Sequence, residues 1–153
     1  MGSKKLPQNI NNLLMEIGEK SIIFQLYVRT RNSGWNVYYN LCEVGCDIVL
    51  LNPASGKQIK IEAKTRQRLY TTSTKAHFNF QVTQNEYNNI DFLIAYWFDQ
   101  NAYFIVPKER LRKTTSNGNN IYYIKAGLKK DGSFGFDLEN FKDNWKAILN
   151  KLS

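Results

Sequence analysis

Residues 47–64 constrain the fold of this chain more than any other stretch. Two apolar-rich runs, Asp47-Ile48-Val49-Leu50-Leu51 and Gln58-Ile59-Lys60-Ile61-Glu62-Ala63-Lys64, flank Asn52-Pro53-Ala54-Ser55-Gly56-Lys57. β-formers on either side of a segment of turn-formers predict a β-hairpin. Cross-strand partners in an antiparallel pair have residue numbers with a constant sum, so a turn centred between Ala54 and Ser55 pairs Asp47 with Glu62. The two-residue period then places Ile48, Leu50, Ile59, Ile61 and Ala63 on one face and Asp47, Val49, Lys60, Glu62 and Lys64 on the other. The first face is expected to be core and the second to carry the chemistry.

Paired side chains sit with Cβ atoms about 5 Å apart, and like charges there repel. A divalent cation of the Mg²⁺ type, which takes one or two carboxylates plus waters and phosphate oxygens, would offset that repulsion. The plainer alternative is a pair of solvated acids near a strand end, with Lys64 as a salt-bridge partner. A D-x₁₄-E-x-K spacing by itself does not separate the two.

Gly45-Cys46-Asp47-Ile48-Val49, a turn, and then Ile59-Lys60-Ile61-Glu62-Ala63-Lys64 resemble the core of the PD-(D/E)xK nuclease superfamily, which includes restriction-endonuclease-like and Holliday junction resolvase-like enzymes. Cys46 stands where the motif has proline. The resemblance extends upstream through Ile17-Gly18-Glu19-Lys20 and Asn32-Ser33-Gly34-Trp35-Asn36-Val37, a glutamate-bearing helix followed by a Gly-aromatic turn, and it covers residues 15–106. It implies an α/β restriction-endonuclease-like fold: a central mixed sheet flanked by helices, in the order α-β-β-β-α-β, with a C-terminal helix. It further implies Asp47 as bridging metal ligand, Glu62 as the second and the Ala63 carbonyl as a backbone ligand. Lys64 would orient or help deprotonate the attacking water. Glu19 would complete the acidic cluster, with Glu16, nearly one turn away, as its rival.

At 153 residues with 42% hydrophobic content, the chain is expected to form one domain over residues 1–153. A net charge of +8 favours polyanionic partners, nucleic acid first among them. No apolar run approaches the ~20 residues of a membrane span, and residues 1–10 lack a signal peptide's apolar segment. A cytoplasmic location is expected. Cys42, Cys46 and the single histidine, His77, are too few for a structural zinc site, so buried free thiols are expected instead. His77, placed in a loop, is expected to have an exposed role.

Ile10, Leu13, Leu14, Ile17, Ser21, Phe24 and Val28 recur at helical spacing, predicting an amphipathic helix over residues 9–31 that buries this stripe. Gly18 costs that helix about 1 kcal/mol unless a close backbone approach requires it. A strand follows over residues 35–41. Residues 65–79 read as a polar, basic loop in which Arg66, Arg68 and Lys75 would contact phosphates and Tyr70 could stack. Thr83 and Glu86 form a T-x-x-E capping box, which makes Glu86 a cap rather than a catalyst.

Strands are expected over residues 92–98, 103–106 and 121–126. A basic helical turn with Lys108, Arg110, Arg112 and Lys113 follows Pro107, and its Lys108, Arg110 and Arg112 are expected to meet the DNA backbone as well. The loop 129–135 is expected to be a mobile DNA-binding element. Asp137 is expected to cap a closing helix carrying Leu138, Phe141, Trp145, Ile148, Leu149 and Leu152.

The expected function is a metal-dependent endonuclease, using Mg²⁺ with Mn²⁺ as a possible substitute, that hydrolyses DNA phosphodiester bonds. A small homing, restriction or junction-resolving enzyme fits, acting as a homodimer or larger assembly because cutting both strands needs two active sites. The competing readings are a catalytically inactive DNA-binding protein of the same fold and a protein-binding adaptor.

Overall fold

The computed structural model describes residues 7–40, 45–67 and 77–152. Its first element is the 23-residue helix α1 (Gln8–Thr30). A central sheet follows, built from β1 (Asn36–Tyr39), β2 (Ile48–Leu51), β3 (Gln58–Arg66), β5 (Phe92–Trp97) and β6 (Ala102–Pro107), ordered β1-β2-β3-β5-β6. The β3–β5 pair is parallel and the others antiparallel, giving the mixed sheet that the resemblance implied. A second, antiparallel sheet is ordered β4 (His77–Thr83), β8 (Asn119–Leu128) and β7 (Arg112–Ser116), with β9 (Phe134–Phe136) also paired to β8. The short helix α2 (Gln84–Asn88) links β4 to β5, and α3 (Lys146–Leu149) lies near the end of the chain.

The hairpin has the register read from the sequence over Ile48–Leu51: Ile48 opposes Ile61 and Leu50 opposes Ile59. Asp47, expected opposite Glu62, lies just before this ladder, and its N–H donates to Ile61 O. Asn52 shapes its turn by accepting the Ala54 N–H on its side-chain oxygen at 3.0 Å, and Gly56 takes the left-handed φ of +75° that the return requires. Ile48, Leu50, Ile59, Ile61 and Ala63 join the core beneath α1 as expected. The other face is not open: Val49, Leu93, Ala95, Trp97, Phe104 and Val106 form a second core against Phe80, Val82, Tyr122, Ile124 and Ala126 of the second sheet.

Helix α1 departs from its expected orientation. Gly18, Ile22, Leu26 and Thr30 are its buried residues, whereas Ile10, Leu13, Ile17, Phe24 and Val28 are exposed. Two apolar stripes compete on this helix, and the one containing glycine packs because it permits the closest approach. A Cβ on Gly18 would lie 1.8 Å from Thr65 Oγ1, so the helix crosses β3 where only glycine fits.

Three more expectations change. The closing helix breaks into a 3₁₀ turn (Leu138–Asn140) and α3. The side chain of Asp137 accepts from the Lys125 N–H at 2.9 Å and from Arg112 at 2.5 Å, so it does not cap, and Asp143 adopts a left-handed φ of +51°. The intervening segment instead pairs with β6, where Ile105 N–H donates to Phe141 O and Asp143 N–H to Tyr103 O, both at 2.9 Å. The basic turn after Pro107 is a 3₁₀ turn (Lys108–Arg110), after which Arg112 opens β7. The 129–135 loop is a tight connection between β8 and β9, closed by Lys129 N–H to Ser133 O at 2.8 Å and by Asp131 accepting from the Ser133 N–H and hydroxyl. Among the described residues no helix is long and apolar enough to cross a membrane.

Candidate active site

The site lies where β2 stops and β3 continues. Asp47 immediately precedes β2, out of step with the ladder, and its N–H donates to Ile61 O at 2.9 Å. Its side chain then substitutes for the missing strand, with Oδ2 accepting the Ala63 N–H at 2.9 Å. Along a strand, the N–H and C=O of one residue point to the same edge. Ala63 therefore turns its carbonyl toward the Asp47 side, beyond the last residue of β2. Glu62 and Lys64 alternate onto the opposite face from Ala63 and Thr65, toward α2.

On that face Glu62 is almost fully buried, with only 7% of its side chain exposed. Lys64 Nζ lies 3.3 Å from Glu62 Oε1 and 2.9 Å from Glu86 Oε2. Glu86 is held in the capping box anticipated from the sequence: Oε1 accepts the Thr83 N–H at 2.9 Å, while Thr83 Oγ1 accepts the Glu86 N–H at 3.2 Å. It thus caps α2 and joins the site at once. The sequence showed the cap; a contact across 22 residues of chain left no local signal.

Burial pushes the Glu62 carboxyl up to about 10, helped by its hydrogen bond to Glu86 and the charge of Asp47, with Lys64 opposing. Burial would also raise Glu86, but hydrogen bonds from Glu62, Lys64 and the Thr83 backbone hold it down at about 2. The two carboxyls share one proton, as adjacent buried acids do. Burial pulls the Lys64 ammonium down, yet Glu86 and Glu62 more than offset this and leave it above the usual lysine value. Glu19 reaches the cluster from α1. Its carboxyl is raised by burial and then by the charges of Asp47 and Glu16, with Lys64 opposing. Glu19 is partly buried, whereas its rival Glu16 is exposed.

No protein-family model matches the sequence, and no curated protein matches it. Among solved structures, the bacterial homing endonuclease I-Ssp6803I matches 99% of this chain and 94% of its own, with a TM-score of 0.64 and 19% identity. The fold is restriction-endonuclease-like. Hjc, a Holliday junction resolvase from the hyperthermophilic archaeon Archaeoglobus fulgidus, aligns with 82% of this chain and 93% of its own, at 14% identity and a TM-score of 0.47.

Among the described residues, no three Asp, Glu, His or Cys side chains converge as a ready-made metal cage. The donors nevertheless suit a hard cation that keeps most of its waters, because such an ion needs only one or two carboxylates from the protein. Glu62 is a carboxyl that burial first, and then Glu86 and the charge of Asp47, push toward its protonated form, and a cation could take that proton's place.

The basic residues fall into separate groups. Arg66 ends β3, exposed, with its guanidinium 5.7 Å over the Phe78 ring. Arg68, Tyr70 and Lys75 lie outside the described residues. Lys108 sits over Tyr87 at 5.2 Å and Arg110 over Phe141 at 5.5 Å. Arg66 aligns with Trp97, while Lys108 follows Pro107, which aligns with Phe92, the partner of Ile61. Five residues of strand, about 16 Å at 3.3 Å each, therefore separate the two groups. Arg112 is engaged by Asp137. His77 begins β4 rather than lying in a loop, with its ring 5.3 Å from that of Phe136. Cys46 is a buried free thiol, raised by burial, and Cys42 lies outside the described residues.

Proposed function

We propose that this chain is a metal-dependent endonuclease that hydrolyses DNA phosphodiester bonds, of the small homing, restriction or junction-resolving type. The observation that carries the reading is the assembly of Asp47, Glu62, the Ala63 carbonyl and Lys64 at one strand end. Its setting, a fold shared over almost its whole length with a homing endonuclease, supports it.

Asp47, Glu62 and the Ala63 carbonyl would hold Mg²⁺, with Mn²⁺ as a substitute, and Glu19 would complete the acidic group. The ion, when bound, would supply a hydroxide-like nucleophile and absorb charge on the phosphoryl oxygens. Asp47 would offer the cation the oxygen that the Ala63 N–H leaves free. Glu62 would serve as a ligand in its ionised form. Lys64 lies 3.3 Å from Glu62, where an ammonium can orient the attacking water and hydrogen-bond the phosphate. Arg66, one residue beyond Thr65 on the same strand, meets the backbone of the DNA. A homodimer brings two such sites together, and the exposed α1 stripe of Leu13, Ile17, Phe24 and Val28 is the apolar surface suited to a second copy.

Purified protein incubated with Mg²⁺ and a panel of linear, supercoiled and four-way-junction DNAs tests the reading. Cleavage that stops on addition of chelator is expected. Binding of DNA without any cleavage in Mg²⁺ or Mn²⁺ would replace it with a DNA-binding role.

A further inference from the structure

Lys64 has two anionic neighbours of different kinds. Glu62 is shared with the proposed cation, so its contact with Lys64 at 3.3 Å competes with ligation. Glu86 stands outside the proposed ligand set, and each of its oxygens has a separate partner: Oε2 the Lys64 ammonium at 2.9 Å, Oε1 the Thr83 N–H at 2.9 Å. A glutamate on the surface would move freely. This one is fixed by the helix cap, and α2 is fixed in turn by the second sheet. Asn120 Nδ2 and Tyr122 OH both donate to Gln84 Oε1 at 3.0 Å, and Tyr87 stacks on Tyr122 with ring centroids 3.7 Å apart.

The central and second sheets are thereby linked through one chain of contacts: Tyr122 and Asn120 to α2, Glu86 to Lys64. Lysine carries four rotatable bonds and positions itself poorly without a partner. We propose that Glu86 is the positioning residue for Lys64, holding its ammonium at the reaction centre while Glu62 is engaged by the metal. The capping box on α2 is thus part of the machinery of the site as well as the start of a helix. This rests on the nuclease reading for its consequence in catalysis, but the placement of Lys64 can be read without any cleavage.

Glu86→Gln and Glu86→Ala separate the two duties. Glutamine keeps a carbonyl oxygen for the Thr83 N–H but offers Lys64 no charge; alanine loses both. The single-turnover cleavage rate in saturating Mg²⁺ should fall by about 10- to 100-fold in both variants, as for other groups that orient a reactive side chain. Only Glu86→Ala should melt at a markedly lower temperature. The affinity for DNA should stay at its wild-type value.

The proton–nitrogen NMR signal of the Lys64 ammonium, observable when the group is held and shielded from exchange, should be present in the wild type and lost in Glu86→Gln. A wild-type rate in Glu86→Gln, or a Lys64 signal unchanged there, would overturn the proposal. If the wild type cleaves no DNA, the nuclease reading fails, and the Lys64 signal alone then decides whether Glu86 positions it.

Discussion

Asp47 and Ala63 are joined by a side-chain-to-backbone hydrogen bond, Oδ2 to N–H at 2.9 Å, in the place where the next ladder bond between β2 and β3 would stand. A carboxylate has taken over the work of a strand. The same group is therefore structural through one oxygen and available to a cation through the other.

That dual role predicts a split between two substitutions. Asp47→Asn keeps an acceptor for Ala63 while removing the charge, so cleavage should vanish with the melting temperature kept or raised, because the repulsion between Asp47 and Glu19 is relieved. Asp47→Ala should lose cleavage and also about 1–3 kcal/mol of stability, the cost of leaving a partly buried N–H unpaired. Thermal melts of both variants beside cleavage assays check this, and near wild-type cutting by Asp47→Asn would remove Asp47 from the ligand set.

The Glu62–Glu86 pair predicts how the metal-free protein responds to pH. In the unfolded chain Glu62 loses its proton near 4.5, whereas in the folded protein it keeps it up to about 10. A folded pKa above the unfolded one means that its contribution is fully present below pH 4.5 and drains away as pH rises, at up to ~1.4 kcal/mol per unit. Glu86 runs the other way, from 4.5 unfolded to about 2 folded, so its contribution is present above 4.5 and is lost as pH falls toward 2. Denaturant unfolding in chelator should show stability falling from pH 5 to pH 9. Glu62→Gln should flatten that decline, and Mg²⁺ should stabilise the wild type more at pH 9 than at pH 5. Parallel curves for wild type and Glu62→Gln would contradict the shared proton.

The parts of this architecture that were legible in the sequence are those set by local chemistry. The hairpin register followed from turn residues and alternation over 47–64, and the Thr83/Glu86 capping box from a four-residue pattern. What was hidden depends on contacts between distant segments. Strand β7, Arg112–Ser116, is exposed at every position and so carries no alternation of polarity. The apolar face of α1 was ambiguous because Ile22 and Leu26 offer a second stripe, and the choice is made by Thr65 approaching Gly18. Asp137 has the identity of a cap, but Lys125 and Arg112 occupy its oxygens. Among the candidate site residues, Asp47, Glu62, Lys64 and Glu19 could be named as candidates from the sequence, and Glu86 was legible only as a cap.

The crossing of α1 over β3 predicts that Gly18→Ala is destabilising even though alanine is the better helix former by about 1 kcal/mol. A new Cβ would stand 1.8 Å from Thr65 Oγ1 and 2.7 Å from Thr65 Cβ. Rotating Thr65 can clear the first contact but not the second, so the helix must lift from the sheet, at a cost of about 1–3 kcal/mol. Thr65→Ala should recover part of that loss in the double variant. Because Glu19 rides on the same turn, cleavage should fall in Gly18→Ala by more than stability alone explains. A Gly18→Ala protein melting at or above the wild-type temperature would show that the crossing is looser than this.

Separation of the basic groups makes a prediction for DNA binding. For duplex DNA the slope of log K against log salt changes by about 0.9 for each phosphate neutralised. Arg66 projects from the end of the strand that carries Glu62 and Lys64, exposed, and among the described residues the Phe78 ring lies against its guanidinium. Arg112 already has Asp137 as a partner at 2.5 Å. Arg66→Ala should therefore flatten the salt slope by roughly one unit and weaken binding to all sequences alike, since phosphate contacts carry no base information. Arg112→Ala should leave the slope unchanged. Binding isotherms from low to moderate salt distinguish the outcomes. If Arg66→Ala kept the wild-type slope while loss of Lys108 and Arg110 reduced it, the DNA would meet the central sheet at the Pro107 end, level with Ile61 and about 16 Å from Arg66 at 3.3 Å per residue, and Arg66 would not be the residue that holds the phosphate backbone.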